Sequence, residues 1–122
     1  MFNGGTLAIK VYNRTRNAIL AERAAVANTS QLRRTGLLKH ESLPEGEGLW
    51  IVPCEAIHTF GMKFAIDVLF LSKKRVVKKQ RRDMAKRRIS ICLTASSVLE
   101  LPAGTLEKTG TEKGDQLEFE NL

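Results

Sequence analysis

Apolar and polar positions alternate over several short stretches of the chain, and this two-residue period predicts β-strands. The clearest stretch is residues 64–71, in which both alternating sets are apolar except at Asp67. A strand with two apolar faces is typical of the interior of a sheet, so this stretch is predicted to be a central strand. Shorter stretches predict further strands at residues 6–12, 18–26, 49–52, 97–101 and 116–120.

Turn and helix signals separate these strands. Residues 18–26 are rich in alanine, so a helix competes with the strand there. A short helix is expected over residues 31–35, preceded by N-cap side chains and ended by Gly36, and a second helical turn at residues 105–109. The chain is therefore predicted to form one mainly β domain over residues 1–122, either a β-sandwich or a partly open barrel with one or two short helices.

Basic residues are concentrated in one segment. The chain has 20 Lys and Arg and 13 Asp and Glu, a net charge of +7, and ten of the basic residues lie within residues 73–88 beside a single acid, Asp83. This segment could bind nucleic acid or an anionic membrane surface. A solvated edge hairpin is favoured, because no aromatic residue accompanies the charges and lysines protect a sheet edge from pairing. The residues expected to contact an acidic partner are Lys78, Lys79, Arg81, Arg82, Arg87 and Arg88.

Nothing in the sequence indicates a membrane span or an export signal. No apolar run approaches the roughly 20 residues that cross a bilayer, and residues 1–5 lack the charged and apolar regions of a signal peptide. A cytoplasmic protein without a transmembrane segment is expected. In that reducing compartment the two cysteines, Cys54 and Cys92, are expected to be free thiols.

Several short motifs follow one another along the chain: RRTGLL at residues 33–38, GEGLW at 46–50, IHTFGM at 57–62, IDVLFL at 66–71, VLELPAG at 98–104 and GD at 114–115. This ordered series is similar to the domain-of-unknown-function family numbered 192 over about residues 6–120. The resemblance implies a compact β-sandwich-like domain and little about activity.

The resemblance extends to particular positions. Many family members lack a counterpart of the Cys54–His58 pair, so the chain resembles a Cys- and His-containing subgroup. Any function of that pair need not be shared by the whole family. The positions that match the family pattern are Arg33, Gly36, Met62, Asp67, Glu100 and Gly104.

Cys54 and His58 have side chains that serve as metal ligands, or as a nucleophile and its base. In an extended strand a four-residue separation places Cα atoms roughly 13 Å apart, so the pair can act together only if residues 55–57 form a turn. A structural loop is favoured. The alternatives are a metal bound at Cys54 and His58, and a hydrolase- or transferase-like enzyme in which Asp67 orients His58. No cofactor is predicted, and catalytic activity is left open with a non-enzymatic role favoured.

Asp67 poses a physical problem, because a carboxylate on an apolar strand must be paired, hydrogen-bonded or protonated. Arg33 is its expected partner, since a guanidinium can bind a carboxylate through two hydrogen bonds. The favoured role of the pair is to fix the helix against the sheet. The functional alternative places Asp67 in a pocket with His58 and Thr59. Glu100 is expected either on a solvated strand face or as a second charge near Arg33.

Polar groups embedded among core strands are typical of a small ligand pocket. The leading functional hypothesis is therefore a β domain that binds a small molecule or peptide. Trp50, Phe60 and Met62 are expected to belong to the core or to the pocket wall. The residues expected to contact the ligand are Arg33, Cys54, His58, Thr59, Met62, Asp67 and Glu100.

Overall fold

A curled seven-stranded sheet dominates the structure, a computed structural model that describes residues 7–122. In chain order the elements are β1 (Ala8–Asn13), β2 (Ala18–Ala27), α1 (Ser30–Thr35), β3 (Glu47–Ile51), β4 (Ala56–His58), β5 (Ile66–Leu71), β6 (Val77–Met84), β7 (Ile89–Ile91), β8 (Ser97–Pro102), α2 (Thr105–Thr109) and β9 (Leu117–Asn121). The large sheet has the order β6-β5-β8-β3-β2-β1-β9, and β4 pairs with β7 in a separate two-stranded ribbon. The predicted mainly β fold is confirmed, with the curled sheet in the form of a partly open barrel.

Strand β5 has the interior position predicted for it, between β6 and β8. Every residue of β5 is buried. Its alternate residues enter two apolar clusters on opposite faces of the sheet: Leu69 and Leu71 belong to one cluster, and Ile66, Val68 and Phe70 to the other. The sheet therefore has apolar layers on both sides.

Different elements cover the two faces. The face that bears Leu69 is covered by α2, whose Leu106 is fully buried in the same cluster; we call it the α2 face. The opposite face is covered by the turn after α1 and by the β4–β7 ribbon, which contribute Leu37 and Ile57 to the second cluster; we call it the α1 face. Side chains on β5 and β8 thus reach one cluster or the other according to their position in the strand.

The two helices and the alanine-rich strand form where the sequence predicts them. Residues 18–27 are extended because β2 pairs on both edges, antiparallel with β1 and parallel with β3. The Thr29 hydroxyl caps α1 by accepting a hydrogen bond from the Leu32 amide, and Gly36, with a φ of +47°, ends the helix. The prediction of a helical turn at residues 105–109 is also confirmed.

The β4–β7 ribbon was not predicted. Each of its strands has three residues, which is too short for an alternating pattern to stand out from its surroundings. Residues 1–6 lie outside the described part of the chain. Two predictions that fall there, the start of the first strand at Thr6 and the absence of a signal peptide, therefore stay predictions. Within residues 7–122 no helix has the length and apolar character that crossing a membrane requires.

Candidate functional site

A cleft of about 400 Å³ opens on the α1 face of the sheet. One wall consists of α1 and the turn that follows it, and the other runs from the end of β3 into β4. We call it the α1 cleft. The predicted ligand contacts that line it are Arg33, Cys54, His58, Met62 and Glu100.

Sequence reasoning missed much of the wall formed by α1 and the turn after it. Arg34, Thr35, Gly36, Leu37 and Leu38 all line the cleft. The available signal was the RRTGLL motif, which placed two arginines and a helix-ending glycine together.

Arg33 lies in the last turn of α1 and reaches across to the opposite wall. Its Nη1 is 3.4 Å from the carbonyl oxygen of Pro53, and its Nη2 is 3.5 Å from the Ser30 hydroxyl. Both contacts are at the long limit of a hydrogen bond. The Arg33 Nε atom is buried and has no hydrogen-bond partner among the described residues. This N–H is therefore a donor whose acceptor is missing.

Glu100 lies on β8 and points to the α1 face, because its cross-strand neighbours Leu49 and Val68 belong to the cluster on that face. Of the two positions expected for Glu100, the solvated strand face is wrong, since both faces of the sheet are covered and only 4% of Glu100 is exposed. Within residues 7–122 no group forms a hydrogen bond with its carboxyl group. Burial raises the pKa of Glu100 from 4.5 to about 7.

The close approach of β3 and β8 fixes the position of Glu100. Gly48 makes this approach possible, because a Cβ atom there would lie 3.0 Å from the Glu100 carbonyl oxygen and 3.1 Å from the Leu101 side chain. The buried carboxyl group is therefore attached to a part of the sheet with little freedom to move.

Cys54 is half-buried in the cleft wall, after the cis peptide bond between Val52 and Pro53. Its thiol donates a hydrogen bond to the Ala56 carbonyl oxygen, with an Sγ–O distance of 3.2 Å. Burial raises the pKa of the thiol. This shift favours the protonated thiol, which is the less reactive form.

His58 does not form a pair with Cys54. Residues 56–58 are extended in β4, so the turn that would bring the two side chains together is absent. The exposed His58 ring instead packs near Phe60, with 5.9 Å between ring centroids. Among residues 7–122 no group of three or more His, Cys, Asp or Glu side chains is arranged to hold a metal ion. A metal at Cys54 and His58 would need further ligands from water or another molecule.

Asp67 lies on the other side of the sheet from the cleft. Only 1% of it is exposed, and its two carboxylate oxygens accept hydrogen bonds from the backbone amides of Asp83 at 2.7 Å and Leu106 at 2.8 Å. The expected pairing with Arg33 is wrong, because Asp67 belongs to the α2 face and Arg33 to the α1 face. Backbone amides, which no sequence pattern reveals, supply the compensation that a buried carboxylate requires.

Thr59 is also outside the cleft lining and is fully buried. Its hydroxyl donates to the Ala85 carbonyl oxygen at 2.6 Å and accepts from the Arg88 amide at 2.8 Å. Thr59 therefore ties the end of β4 to the segment between β6 and β7. Asp67, which the functional alternative placed in a pocket with Thr59, is not among its hydrogen-bond partners.

The basic segment is divided between two sides of β6, the edge strand of the sheet. Lys79 and Arg81 reach the β7 strand, where Lys79 donates to the Ile91 carbonyl oxygen and Arg81 to the Ser90 hydroxyl. Arg82 instead donates to the Thr111 carbonyl oxygen. The predicted acidic-partner residues therefore do not form a single continuous surface. Lys78, Arg87 and Arg88 are exposed.

Comparison with known proteins gives the family. The profile of the DUF192 family, described as "Uncharacterized ACR, COG1430", matches residues 11–119. The chain belongs to the DUF192 family. The resemblance noted in the sequence is confirmed, and the assignment to a Cys- and His-containing subgroup stays a prediction.

Two crystal structures share the fold of this DUF192 chain. A proposed transcription regulator from Sinorhizobium meliloti 1021 is 20% identical, with a TM-score of 0.80 and 93% of each chain covered. A protein of unknown function from Novosphingobium aromaticivorans DSM 12444 is 20% identical, with a TM-score of 0.76. The match covers 91% of this chain and 83% of that chain. At these identities the likeness shows the fold alone. No curated protein matches the chain.

Proposed function

We propose that the α1 cleft binds a small molecule or the end of a peptide that carries a hydrogen-bond acceptor for Arg33 beside a donor for Glu100. One observation supports this proposal: the buried Arg33 Nε–H, which has no hydrogen-bond partner among the described residues, borders the same cleft as the side chain of Glu100, a residue that is only 4% exposed and forms no side-chain hydrogen bond within residues 7–122.

The energetic argument is that buried polar groups are nearly always hydrogen-bonded. Leaving such a group without a partner costs about 1–3 kcal/mol. Arg33 and Glu100 do not compensate each other, because no ion pair joins them within 4.0 Å in the described structure. A ligand between them would satisfy both groups at once.

The size and chemistry of the cleft suit a small polar ligand. Its volume of about 400 Å³ is near the lower end of the range for small-molecule sites, about 300–1,000 Å³. Leu37, Leu38 and Met62 add apolar surface beside the two polar groups. An amino acid or a primary amide offers both an acceptor for Arg33 and a donor for Glu100.

The proposal is tested by NMR titration of ¹⁵N-labelled protein with free amino acids, their amides and simple carboxylates. A ligand should shift the backbone amides of residues 33–38, 53–58 and 100. Arg33→Met should abolish these shifts, and Glu100→Gln should weaken them. Lys39→Gln is the matched control, because Lys39 is an exposed cation near α1 that does not line the cleft.

Two results would reject the proposal. One is that none of these compounds produces shifts localised to the cleft. The other is that Arg33→Met binds a hit compound as tightly as the Lys39→Gln control does.

A further inference from the structure

The β4–β7 ribbon carries an unusual number of exposed apolar side chains. Phe60, Ile89, Ile91 and Leu93 are 48%, 59%, 50% and 76% exposed, and they make up four of the seven large exposed hydrophobic residues in the part of the chain that the structure describes. We call these four residues the apolar ribbon face. Phe60 was expected in the core or the pocket wall, and its exposure corrects that expectation.

The alternation of side chains along β7 places two of these apolar residues on the same side of the ribbon. Ile89 and Ile91 occupy one face of β7, and the buried Ser90 between them points the other way. Ile89 pairs with His58 and Ile91 with Ala56, so the apolar side chains stand on a paired backbone. The usual arrangement, with isoleucines buried and serine exposed, is thus reversed on β7.

Basic residues border this face. Arg87 and Arg88 are exposed and directly precede Ile89. Lys79 and Arg81 reach β7 from β6 and add positive charge behind this face, where Lys79 donates to the Ile91 carbonyl oxygen and Arg81 to the inward-pointing Ser90 hydroxyl. Glu55 is the acidic residue at this end of the ribbon, and its carbonyl oxygen accepts from the Cys92 amide. The border is therefore strongly cationic.

We propose that the apolar ribbon face docks on an anionic lipid surface. Its apolar side chains enter the boundary between headgroups and acyl chains, while the exposed Arg87 and Arg88 face the lipid phosphates. Stable attachment to a membrane takes two signals, and a short apolar segment beside a basic patch supplies both. This interaction is independent of the function proposed for the α1 cleft.

Charge and composition favour lipid over other occupants. A nucleic acid would neutralise the basic residues, but three of the four apolar side chains are aliphatic, do not stack on bases and would stay hydrated. A stable protein partner typically buries 20–30 residues a side, whereas this face offers four apolar side chains on two three-residue strands and their adjoining loops. A bilayer accepts a few apolar side chains without requiring a complementary shape.

The test is sedimentation of the full chain with vesicles of phosphatidylcholine alone, or of phosphatidylcholine and phosphatidylglycerol in equal amounts. Binding is expected to the mixed vesicles and to weaken as salt is raised. The double variant Ile89→Ser, Ile91→Ser should lower the apparent affinity at least about tenfold. The double variant Arg87→Gln, Arg88→Gln should lower it roughly 25-fold, since each basic residue near an anionic surface contributes about fivefold.

Two matched variants serve as controls. Ile19→Ser removes an exposed isoleucine from β2, and Arg82→Gln removes an arginine that points to the other side of β6. Neither should change vesicle binding. The fluorescence of Trp50, the single tryptophan, checks that each variant is folded.

Three outcomes would overturn the proposal. The first is that vesicle binding is absent, or is equal for the ribbon variants and their controls. The second is binding to a short DNA or RNA oligonucleotide but not to vesicles, which would assign the basic residues to nucleic acid. Self-association that the isoleucine substitutions abolish, without any vesicle binding, would instead assign the face to a second copy of the chain.

Discussion

Glu100 belongs both to an interior strand of the sheet and to the lining of the candidate site. Its strand lies between β3 and β5, and its side chain borders the α1 cleft with little exposure. Burial raises its pKa to about 7, so the folded protein holds the proton more tightly than the unfolded chain does. The ionised form of Glu100 therefore lowers the stability of the folded protein. A hydrogen-bond donor or a cation of a ligand in the cleft would reduce this cost.

This argument predicts a pH dependence of stability. Between about pH 4.5 and pH 7 the unfolded chain loses the Glu100 proton while the folded protein retains it, so the free energy of unfolding falls with rising pH. The loss should reach about 3 kcal/mol above pH 7. Glu100→Gln should remove this loss and be the more stable protein at pH 8, as measured by urea unfolding followed through Trp50 fluorescence.

The exposed residue Glu55 supplies the comparison. Glu55→Gln should keep the pH dependence of the unsubstituted chain. Parallel stability curves for Glu100→Gln and the unsubstituted chain from pH 5 to pH 8 would show that Glu100 does not titrate in this range.

At the scale of elements, Asp67 joins three parts of the fold. Its oxygens accept hydrogen bonds from the Asp83 amide at the end of β6 and from the Leu106 amide in α2. One buried carboxylate on β5 therefore fixes an edge strand and a helix. This explains why a polar residue interrupts the most apolar strand in the sequence.

Asp67→Asn should destabilise the protein by about 1–3 kcal/mol. The amide keeps one acceptor oxygen but places its NH₂ group against a backbone N–H, which leaves a buried donor without an acceptor. Asp83→Asn is the matched substitution, because Asp83 contributes its backbone amide to this contact and its side chain is exposed. Denaturant midpoints that are equal for the two variants would contradict the bridging role.

The elements predicted correctly are those that local patterns specify. A few neighbouring positions are enough to predict the strand at residues 64–71, from its alternation, and the helix ends at Gly36 and Gly110. The β4–β7 ribbon was missed because its strands are stabilised by pairing between residues about 30 positions apart. The prediction of Arg33 as the partner of Asp67 was wrong for a related reason, since the actual donors are backbone amides that only the fold brings near.

The candidate site was predictable in part. Arg33, Cys54, His58, Met62 and Glu100 converge on one cleft as the polar and motif residues suggested. Which face of the sheet each residue occupies was not predictable, because both faces are apolar. A strand buried on both sides gives no polar alternation from which to assign Asp67 to the α2 face and Glu100 to the α1 face.

At the scale of the whole molecule, a polar cluster links the two ends of the described chain. Asp115, which precedes β9, accepts hydrogen bonds from Asn13 at the end of β1, from Arg16 in the following turn and from the Glu112 amide. Burial alone would raise the pKa of Asp115, but these hydrogen bonds outweigh it and the pKa is lowered. The cluster secures β9 at the edge of the sheet.

A lowered pKa means that Asp115 stabilises the fold at neutral pH, and that this contribution is lost as the pH falls below the ordinary pKa of 3.8 and through the lower folded value. Asp115→Asn should therefore reduce the free energy of unfolding by about 1–3 kcal/mol at pH 7 and by less at pH 3. Urea unfolding at the two pH values measures the difference.

Glu118→Gln provides a reference, since Glu118 pairs with Arg14 on the surface. Its effect should stay within about 1 kcal/mol. An Asp115→Asn deficit that is as large at pH 3 as at pH 7 would rule out ionisation of Asp115 as its origin.

The single parallel pairing in the sheet, between β2 and β3, has a consequence for access to the α1 cleft. Parallel neighbours cannot be joined by a tight turn, so the chain must cross over between them, and here the crossover of residues 28–46 carries α1. Both of its ends continue into interior strands, and its residues Leu37 and Leu43 are buried in the apolar cluster on the α1 face, so this wall of the cleft is packed against the sheet. A molecule entering the cleft would meet a preformed site, and its binding free energy would be reduced little by the entropic cost of ordering the protein around it.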